Sequence, residues 1–254
     1  MKISIITSVF NNKEHITEAI ESVLNQSYKN IEYIVIDGAS TDGTTEIIKS
    51  YKDKIDKFIS EPDEGIYDGL NKGIHLATGD VIGFLHSDDF YLYDQVLEEV
   101  VNVFKSKECD GVYGNLIYVD KDDTNRVVRQ WDSGEFKYEN LKKGWMPPHP
   151  AFFIKREVYD NFGVFDTGFK ISADYNFMLK ILSSQKFTAC YLPHVLYVMR
   201  IGGTSNKSIR NLIQKSKEDL RALKQNRVGS LAALFFKNIS KIPQFFRRKL
   251  NQKQ

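Results

Sequence analysis

Short apolar runs alternate with polar turns over the first hundred residues. Buried strands are predicted at residues 3–9, 31–36, 57–60 and 80–85. Between them, apolar side chains recur at helical spacing at residues 16–24, through residues 47 and 48, and from about residue 66 to residue 77. Strands that alternate with helices in this way predict an α/β domain with a mostly parallel sheet covered by helices on both faces.

Three polar segments each follow one of the predicted strands. They are TSVFNN at residues 7–12, DGASTD at 37–42 and HSDD at 86–89. In open α/β sheets, ligands bind beyond the carboxyl ends of the strands. We therefore expect the three segments to converge at one edge of the sheet, with Asn11 or Asn12 capping the first helix.

The pattern changes in the second half of the chain. Short β-like pieces are predicted over residues 112–131, a loop at GWMPPHP (144–150), a short strand at AFFI (151–154), and late strands at 188–192 and 195–199. Residues 174–182 are predicted to form an amphipathic helix, with Ser172 and Asp174 as capping candidates. We expect one main domain at residues 1–204, followed by a helical tail at 205–254.

Charge is distributed unevenly along the 254 residues, whose formal net charge is +2. Residues 205–254 carry 13 Lys and Arg against 2 Asp and Glu, a net charge of +11, so residues 1–204 carry −9. In the tail, one predicted helical face is apolar (Leu231, Leu234, Phe235, Ile239, Ile242, Phe246 and Leu250) and the other is basic (Lys237, Lys241 and Arg248). This pattern predicts binding to an anionic membrane surface.

Other interpretations of the tail stay open. A helix of this kind also packs on an acidic protein surface, and Pro243 is expected to kink it. Nucleic-acid binding is disfavoured, because the apolar stripe would have no purpose there.

The cysteines and the N-terminus indicate the compartment. Cys109 and Cys190 are far apart, which does not indicate a disulfide framework and favours a reducing, cytosolic compartment. MKISIITSVF lacks the long apolar region and cleavage site of a signal peptide. No window approaches 18 uninterrupted apolar residues, so we expect no transmembrane helix.

The most informative polar segment is HSDD, where Asp88 and Asp89 end a strand side by side. Carboxylate oxygens suit Mg²⁺ or Mn²⁺, which proteins usually share with substrate phosphates. Neighbouring side chains in an extended strand point in opposite directions, so each carboxylate is expected to meet a different part of a ligand. The alternative is that Ser87, Asp88 and Asp89 cap the next helix.

Several common chemistries lack their motifs. No CxxC, HExxH, GxxxxGKS/T or GxSxG pattern occurs. DGASTDG also lacks the GxGxxG spacing of a dinucleotide-binding fold, so a Rossmann dehydrogenase is disfavoured.

Five segments in order carry a resemblance to a known family. They are ISIITSVFNN, QSYKNIEYIVIDGASTDGT, ISEPDEGIYDGLNKGIHLATGDVIGFLHSDDFY, HPAFFIKREVYDNFGVFD and FKISADYNFMLKI. Over residues 1–204 the chain resembles the family 2 glycosyltransferases, in particular the bacterial branch that builds surface polysaccharides and lipid-linked oligosaccharides. The resemblance implies the GT-A fold, a Rossmann-like α/β arrangement.

The resemblance also implies roles for single residues. Thr7 and Val9 would line the donor site at the nucleotide base, and Asp37 would help to hold the base and ribose. The family usually has a second acid after that Asp, where this chain has Gly38. At the metal motif, Asp89 would be the main ligand of Mn²⁺ or Mg²⁺, with Asp88 nearer the ribose or sugar.

Asp174 matches the catalytic base of the family, although Ala173 stands where many members have Glu. His86 occupies the first position of the metal motif, where another Asp is common. Two further sets of candidates border the site: Asp63, Asp68 and Asn71 on the floor of the donor site, and Trp145 and His149 near the acceptor. Each set has an alternative, which is a solvated helix start for the first and hydrophobic packing for the second.

The function implied is inverting transfer of a sugar from a nucleoside diphosphate sugar, with UDP favoured, to a hydroxyl of a glycan or lipid-linked acceptor. The protein would act in the cytoplasm, on the inner face of the membrane. One alternative is a sugar-nucleotide nucleotidyltransferase, which would normally show a phosphate loop rich in Gly, Arg and Lys near the N-terminus. The other is a non-catalytic membrane-bound scaffold, against which Asp88, Asp89 and Asp174 argue.

Overall fold

A computed structural model describes residues 1–202, 209–240 and 244. Within these residues the strands are β1 Ile3–Val9, β2 Ile31–Asp37, β3 Lys57–Ser60, β4 Val81–Phe84, β5 Phe90–Tyr91, β6 Gly111–Val119, β7 Val127–Trp131, β8 Phe152–Lys155 and β9 Ala189–Arg200. The helices are α1 Ile16–Leu24, α2 Thr44–Ser50, α3 Ile66–Leu76, α4 Val96–Ser106, α5 Tyr138–Leu141, α6 Arg156–Phe162, α7 Ala173–Leu182, α8 Ile209–Gln225 and α9 Leu231–Ile239.

The first four strands form the parallel part of the sheet, in the order β3, β2, β1, β4. Alternate residues of β1 enter opposite cores: Ile3 and Ile5 pack in the same cluster as α1 and α4, whereas Ile6 packs in the cluster that contains α3 and α7. The register pairs Val9 with Asp37, so β1 and β2 end side by side. The strand pattern of the first half of the chain therefore predicted this part of the sheet.

The rest of the sheet is mixed. β8 pairs antiparallel with β4 and β6, β9 runs parallel to β6, and β5 and β7 add antiparallel edges. The predicted α/β fold is confirmed, with parallel order confined to the first four strands and the β6–β9 pair. The two predicted late strands are one strand, β9, because its pairing with β6 shifts register near Asn115 and carries the chain past Pro193.

The C-terminal helices pack on the α/β body. α8 contacts α7, α9 contacts α8, and Ala222, Leu223, Val228 and Ala233 are buried in the same core cluster as the apolar residues of α7. The boundary at residue 204 stays a prediction, because residues 203–208 lie outside the described part of the chain. Over its described length, no helix is long and apolar enough to cross a bilayer.

Helix α9 differs from the predicted amphipathic tail at Lys237. Lys237, expected on a solvated basic face, is 5% exposed and its Nζ lies 2.8 Å from Oδ2 of Asp219 on α8. Leu231 and Phe235 are 67% and 62% exposed. Lys237 is buried because it forms an ion pair with Asp219. Leu231 and Phe235 then lie on the outer surface of the helix. The remaining tail residues of the prediction, Ile242, Phe246, Leu250, Lys241, Arg248 and Pro243, lie outside the described residues.

At the edge of the sheet where the parallel strands begin, Glu32 joins three segments. Its buried carboxylate accepts hydrogen bonds from Ser4 Oγ (2.5 Å), from Thr78 N and Oγ1 (2.7 Å each), and from the ammonium groups of Lys2 (3.2 Å) and Lys57. Burial alone would raise the pKa of Glu32, but the bonds from Ser4, Thr78 and Lys57 outweigh it and hold the pKa well below the usual range.

Glu32→Gln should lower the free energy of unfolding by about 2 kcal/mol at neutral pH, because a neutral amide replaces a charged acceptor of several donors. Since the folded-state pKa lies below the unfolded value of about 4.3, this stability is fully present above that pH and is lost progressively as the pH falls from there through the folded-state pKa. Urea unfolding at several pH values measures the difference, with the exposed Glu157→Gln as control. Equal midpoints for the wild type and Glu32→Gln at neutral pH would contradict the assignment.

Candidate active site

Hydrogen bonds join the three polar segments at the carboxyl edge of the parallel strands. Asn11 Oδ1 accepts from Thr41 N at 2.8 Å, Asn12 N donates to Thr44 Oγ1 at 2.9 Å, and Asn12 Nδ2 donates to Ser87 Oγ at 2.9 Å. The predicted convergence is confirmed. The predicted capping role is wrong, because both asparagines are used between loops and α1 begins after His15 without a side-chain cap.

Asp37 holds the loop that follows β2. It is fully buried, and its carboxylate accepts hydrogen bonds from Ser40 Oγ (2.5 Å), Thr45 Oγ1 (2.8 Å) and Ser60 Oγ (2.6 Å). These donors come from the loop, from α2 and from β3. Asp37 therefore fixes the shape of the DGASTD segment, and its contact with a base and ribose stays a prediction.

Three other predicted donor-binding residues are engaged inside the protein. Thr7 Oγ1 lies 3.1 Å from the Tyr33 hydroxyl in the core. Val9 is buried, and its carbonyl accepts from Gly38 N at 2.9 Å. The Asn71 amide bonds both to the carbonyl and to the N–H of Phe165, at 2.9 and 3.0 Å. These contacts give each of the three residues a structural role within the protein. Their contacts with a ligand stay predictions.

The carboxylate of Asp63 fills the space beside Gly38. A Cβ on Gly38 would lie 2.7 Å from Asp63 Oδ2, while Asp63 Oδ1 accepts from Gly65 N at 3.0 Å. Asp63 is half-buried and places an acid where the residue after Asp37 has no side chain. Asp68 instead bonds to Glu64 N and pairs with Lys72, which matches the alternative of a solvated helix start.

The HSDD segment forms a turn, closed by the hydrogen bond from Asp89 N to the His86 carbonyl at 3.1 Å, rather than the predicted extended chain, and Asp88 and Asp89 lie in different surroundings. Asp89 is 0% exposed and accepts hydrogen bonds from Arg200 N (3.0 Å) and from the Tyr197 hydroxyl (3.1 Å). Burial, reinforced by the charge of Asp88, raises the pKa of Asp89 well above its usual value. The Asp88 carboxylate is partly exposed and receives no hydrogen bond from the described residues.

The alternative that this segment caps a helix is wrong. The residues after it form β5, and α4 begins only after Gln95, without a side-chain cap. Asp89 instead joins the HSDD segment to β9. The Asp88 carbonyl also bonds to β9, because it accepts a hydrogen bond from the Arg200 guanidinium at 2.5 Å.

Asp174 lies in the first turn of α7, as predicted, and is half-buried. Its Oδ1 lies 2.8 Å from the Tyr67 hydroxyl, which also lies 2.7 Å from the Ile171 carbonyl. Burial, followed by the charge of Asp174, raises the pKa of Tyr67 well above its usual value, so the hydroxyl keeps its proton and donates. The sequence offered no signal for Tyr67, because 107 residues separate it from Asp174.

Two neutral histidines lie between these acids. The ring of His149 is 5% exposed, packs on Phe84 and Phe165 at centroid distances of 5.0 and 5.4 Å, and lies 6.2 Å from the ring of His86. Burial lowers the pKa of His149 to about 4, against the charge of Asp174. His149 Nε2 and His86 Nδ1 are buried and have no hydrogen-bond partner among the described residues. Both atoms are therefore unsatisfied within the described part of the chain.

Trp145 is anchored to the body. Its indole N–H donates to the Ser133 carbonyl at 2.8 Å, and its ring packs against Tyr113 and Phe136 at centroid distances of 5.8 and 5.5 Å. This contact set matches the alternative of a hydrophobic anchor, and stacking on an acceptor sugar stays a prediction.

Asp88 is the accessible carboxylate that a metal ion could share with a ligand. In the described part of the chain, no group of three or more His, Cys, Asp or Glu side chains could hold a metal ion alone. Mg²⁺ is commonly bound by one or two carboxylates together with substrate phosphates and water, so an accessible Asp88 fits a cation that arrives with a diphosphate.

Known proteins of similar sequence are glycosyltransferases. The profile described as Glycosyl transferase family 2 matches residues 4–171. An uncharacterized glycosyltransferase of Haemophilus influenzae is 32% identical over 209 residues, which cover 81% of this chain and 82% of that protein.

Solved structures share the fold at low sequence identity. S. aureus TarS 1-349 in complex with UDP-GlcNAc has a TM-score of 0.69 and 18% identity, over 90% of this chain and 66% of that chain. The mannosyltransferase PcManGT from Pyrobaculum calidifontis, in complex with GDP-Man and Mn²⁺, has a TM-score of 0.66 and 18% identity, over 96% of this chain and 73% of that chain. These likenesses confirm the predicted GT-A fold.

Asp89→Ala should lower the free energy of unfolding by about 2 kcal/mol, because it leaves the buried Arg200 N–H and Tyr197 hydroxyl without their acceptor. Asp88→Ala should change it by less than about 0.5 kcal/mol, as surface substitutions usually do. Urea denaturation of both variants without nucleotide or metal makes the comparison. Equal losses in the two variants would contradict the division between a buried and an accessible carboxylate.

Proposed function

This chain belongs to glycosyl transferase family 2, and from that premise we propose that it transfers a sugar, with inversion, from a nucleoside diphosphate sugar to a hydroxyl of a glycan or lipid-linked acceptor in cell-surface polysaccharide synthesis. The observation that carries the proposal is the composition of the sheet edge. Hydrogen bonds join the three polar segments there, and the partly exposed Asp88 follows two residues after His86, whose ring lies 6.2 Å from the ring of His149.

The proposed donor is a nucleoside diphosphate sugar, with UDP favoured. The solved relatives carry UDP-GlcNAc in one case and GDP-Man in the other, which supports the class of donor. Asp63 is our candidate for contact with the nucleotide base, because its carboxylate lies beside Gly38 at the end of β2. Asp37 would then shape the pocket rather than line it, since its oxygens already accept hydrogen bonds from Ser40, Thr45 and Ser60.

Asp88 is the proposed ligand of Mn²⁺ or Mg²⁺. The sequence-based expectation placed Asp89 first, but burial and the bonds to Tyr197 and Arg200 engage that carboxylate inside the protein. A divalent cation bound there with the donor would neutralise charge on the departing diphosphate. Asp89 contributes by holding the backbone of Asp88 against β9.

Asp174 is the proposed general base. The acceptor hydroxyl gives its proton to the Asp174 carboxylate while its oxygen bonds to the anomeric carbon. The bond from that carbon to the diphosphate breaks, and the diphosphate leaves with the electron pair. The hydrogen bond from Tyr67 orients Asp174.

Asp174→Asn should keep metal-dependent donor affinity but lower kcat by about 10²- to 10⁴-fold, the usual contribution of a general base. Asp88→Asn should weaken donor binding only when the metal is present. Calorimetry with the donor and Mn²⁺ measures binding, transfer assays measure kcat, and Asp68→Asn is the control. Near-wild-type turnover in Asp174→Asn would show that the base is wrong. Formation of a nucleotide sugar and pyrophosphate from a sugar phosphate and a nucleoside triphosphate would support the rival nucleotidyltransferase.

We also propose that the outer surface of α8 and α9 binds an anionic membrane. The two acidic residues of the tail, Glu218 and Asp219, are both buried, so the exposed charges on the described parts of these helices are basic. The exposed apolar side chains are Leu212, Ile213, Leu231, Phe235, Phe236 and Ile239. Apolar groups among basic ones match the chemistry of an anionic lipid surface, where the acceptor would be carried.

The double variant Leu231→Gln/Phe235→Gln should lower partitioning onto phosphatidylglycerol-containing vesicles by about tenfold or more, because two apolar side chains no longer enter the interface. Lys217→Gln/Lys224→Gln should weaken binding to these vesicles by roughly 1 kcal/mol per charge and leave binding to pure phosphatidylcholine unchanged. Vesicle sedimentation measures both, with Leu92→Gln, on another exposed surface, as control. Unchanged binding of the first double variant would reject this surface.

A further inference from the structure

Glu218 of α8 holds the segment that leads into the helix of Asp174. Its carboxylate accepts hydrogen bonds from three consecutive backbone N–H groups, those of Lys170 (3.1 Å), Ile171 (2.8 Å) and Ser172 (2.9 Å). Ser172 occupies the N-cap position of α7 but makes no side-chain capping bond. A carboxylate from another helix therefore orders the chain just before the first turn of α7.

The same segment is held from its other side by Tyr67. The Tyr67 hydroxyl lies within hydrogen-bond distance of both the Ile171 carbonyl and Asp174 Oδ1. Ile171 thus has its N–H bound to Glu218, while its carbonyl and Asp174 Oδ1 share the single proton of the Tyr67 hydroxyl. Asp174 follows three residues later, so its position depends on both contacts.

Further contacts surround Glu218 and Asp219 on α8 and join α9 to the first turn of α7. Gln214 donates to Glu218 Oε1 at 3.0 Å, and Asp219 pairs with Lys215 at 3.1 Å and with Lys237 of α9 at 2.8 Å. The Lys237 ammonium also lies 3.1 Å from the centre of the Tyr175 ring, next to Asp174 in the chain. Both C-terminal helices therefore contact the first turn of α7 or the segment before it.

We propose that Glu218 is a positioning residue for Asp174, and that α8 and α9 complete the active site by holding the segment from Lys170 to Ser172. This inference rests on the proposed role of Asp174 as the base. Catalysis depends on reacting groups held at near-attack distance, and a displacement of about 1 Å costs about 10²-fold in rate. Releasing three N–H groups at once allows a displacement of this size without changing the donor site, which lies at the ends of β1, β2 and β4.

The test uses the full chain with three substitutions. Glu218→Ala removes both acceptor oxygens, and Glu218→Gln keeps one carbonyl acceptor in the same shape. Leu223→Ala removes a buried side chain of the same helix, so it destabilises α8 without touching the segment before α7. Steady-state kinetics for donor and acceptor, donor affinity and thermal unfolding are measured for each variant at a temperature where all are folded.

Glu218→Ala should lower kcat by about 10²-fold, while the donor affinity and the donor KM stay within about twofold of the wild type. Glu218→Gln should recover part of the lost kcat, and Leu223→Ala should keep kcat despite its lower melting temperature. If kcat falls in Leu223→Ala as much as in Glu218→Ala, the contact is only structural and the inference is overturned. Full kcat in Glu218→Ala overturns it as well.

Hydrogen exchange gives a second measurement that does not depend on activity. The amides of residues 170–172 should exchange at least tenfold faster in Glu218→Ala than in the wild type, whereas Leu223→Ala should not single them out. Unchanged exchange at these amides would contradict the contact itself. Failure of the wild type to transfer sugar from any donor would instead reject the proposed function.

Discussion

Buried carboxylates that accept several hydrogen bonds hold three segments of the candidate active site. Asp37 gathers three hydroxyl donors in the loop after β2, Asp89 joins the HSDD segment to β9, and Glu218 accepts three backbone N–H groups before α7. Hydrogen bonds to charged acceptors are stronger than neutral ones, and leaving such donors unpaired in a protein interior is costly. Contacts within the protein therefore define the shape of these segments.

The acids of the candidate site differ in burial. Asp37, Asp89 and Glu218 are buried and bind other parts of the protein. Asp63, Asp88 and Asp174 are only half-buried and face the same edge of the sheet that the buried acids hold in place. Because they are partly exposed, these are the three acids to which the proposed function assigns contacts with a base, a cation and an acceptor hydroxyl, respectively. Adjacent acids with different burial, such as Asp88 and Asp89, thus contribute differently even though the sequence presents them as a pair.

The sequence predicted the first half of the fold closely because its signals are local. Strand β1 has the predicted bounds, and β2, β3, β4 and α3 differ from the prediction by a residue or two at most, since short apolar runs and helical spacing identify them directly. The convergence of the three polar segments followed from the parallel order of these strands. The single long strand β9 could not be predicted in the same way, because its continuity depends on a register shift against β6.

The parts of the site that escaped prediction depend on distant contacts. Which of Asp88 and Asp89 is buried depends on Tyr197 and Arg200, over a hundred residues later, and Tyr67 and Glu218 act on the segment before Asp174 from other helices. The burial of Lys237 in α9 was likewise not predicted, because helical spacing says nothing about a buried partner such as Asp219.

The most direct measurement of a metal-dependent nucleotide site at this sheet edge is thermal unfolding of the wild-type protein with UDP, GDP, dTDP or CMP, each with Mn²⁺ and with EDTA. A nucleotide at about 100 times its dissociation constant adds about 2.7 kcal/mol of stability. We expect this stabilisation with one nucleoside diphosphate, in the presence of Mn²⁺ only, and we expect Asp88→Asn to abolish it. No stabilisation by any of the four nucleotides, or the same stabilisation in EDTA, would contradict a donor site built around Asp88.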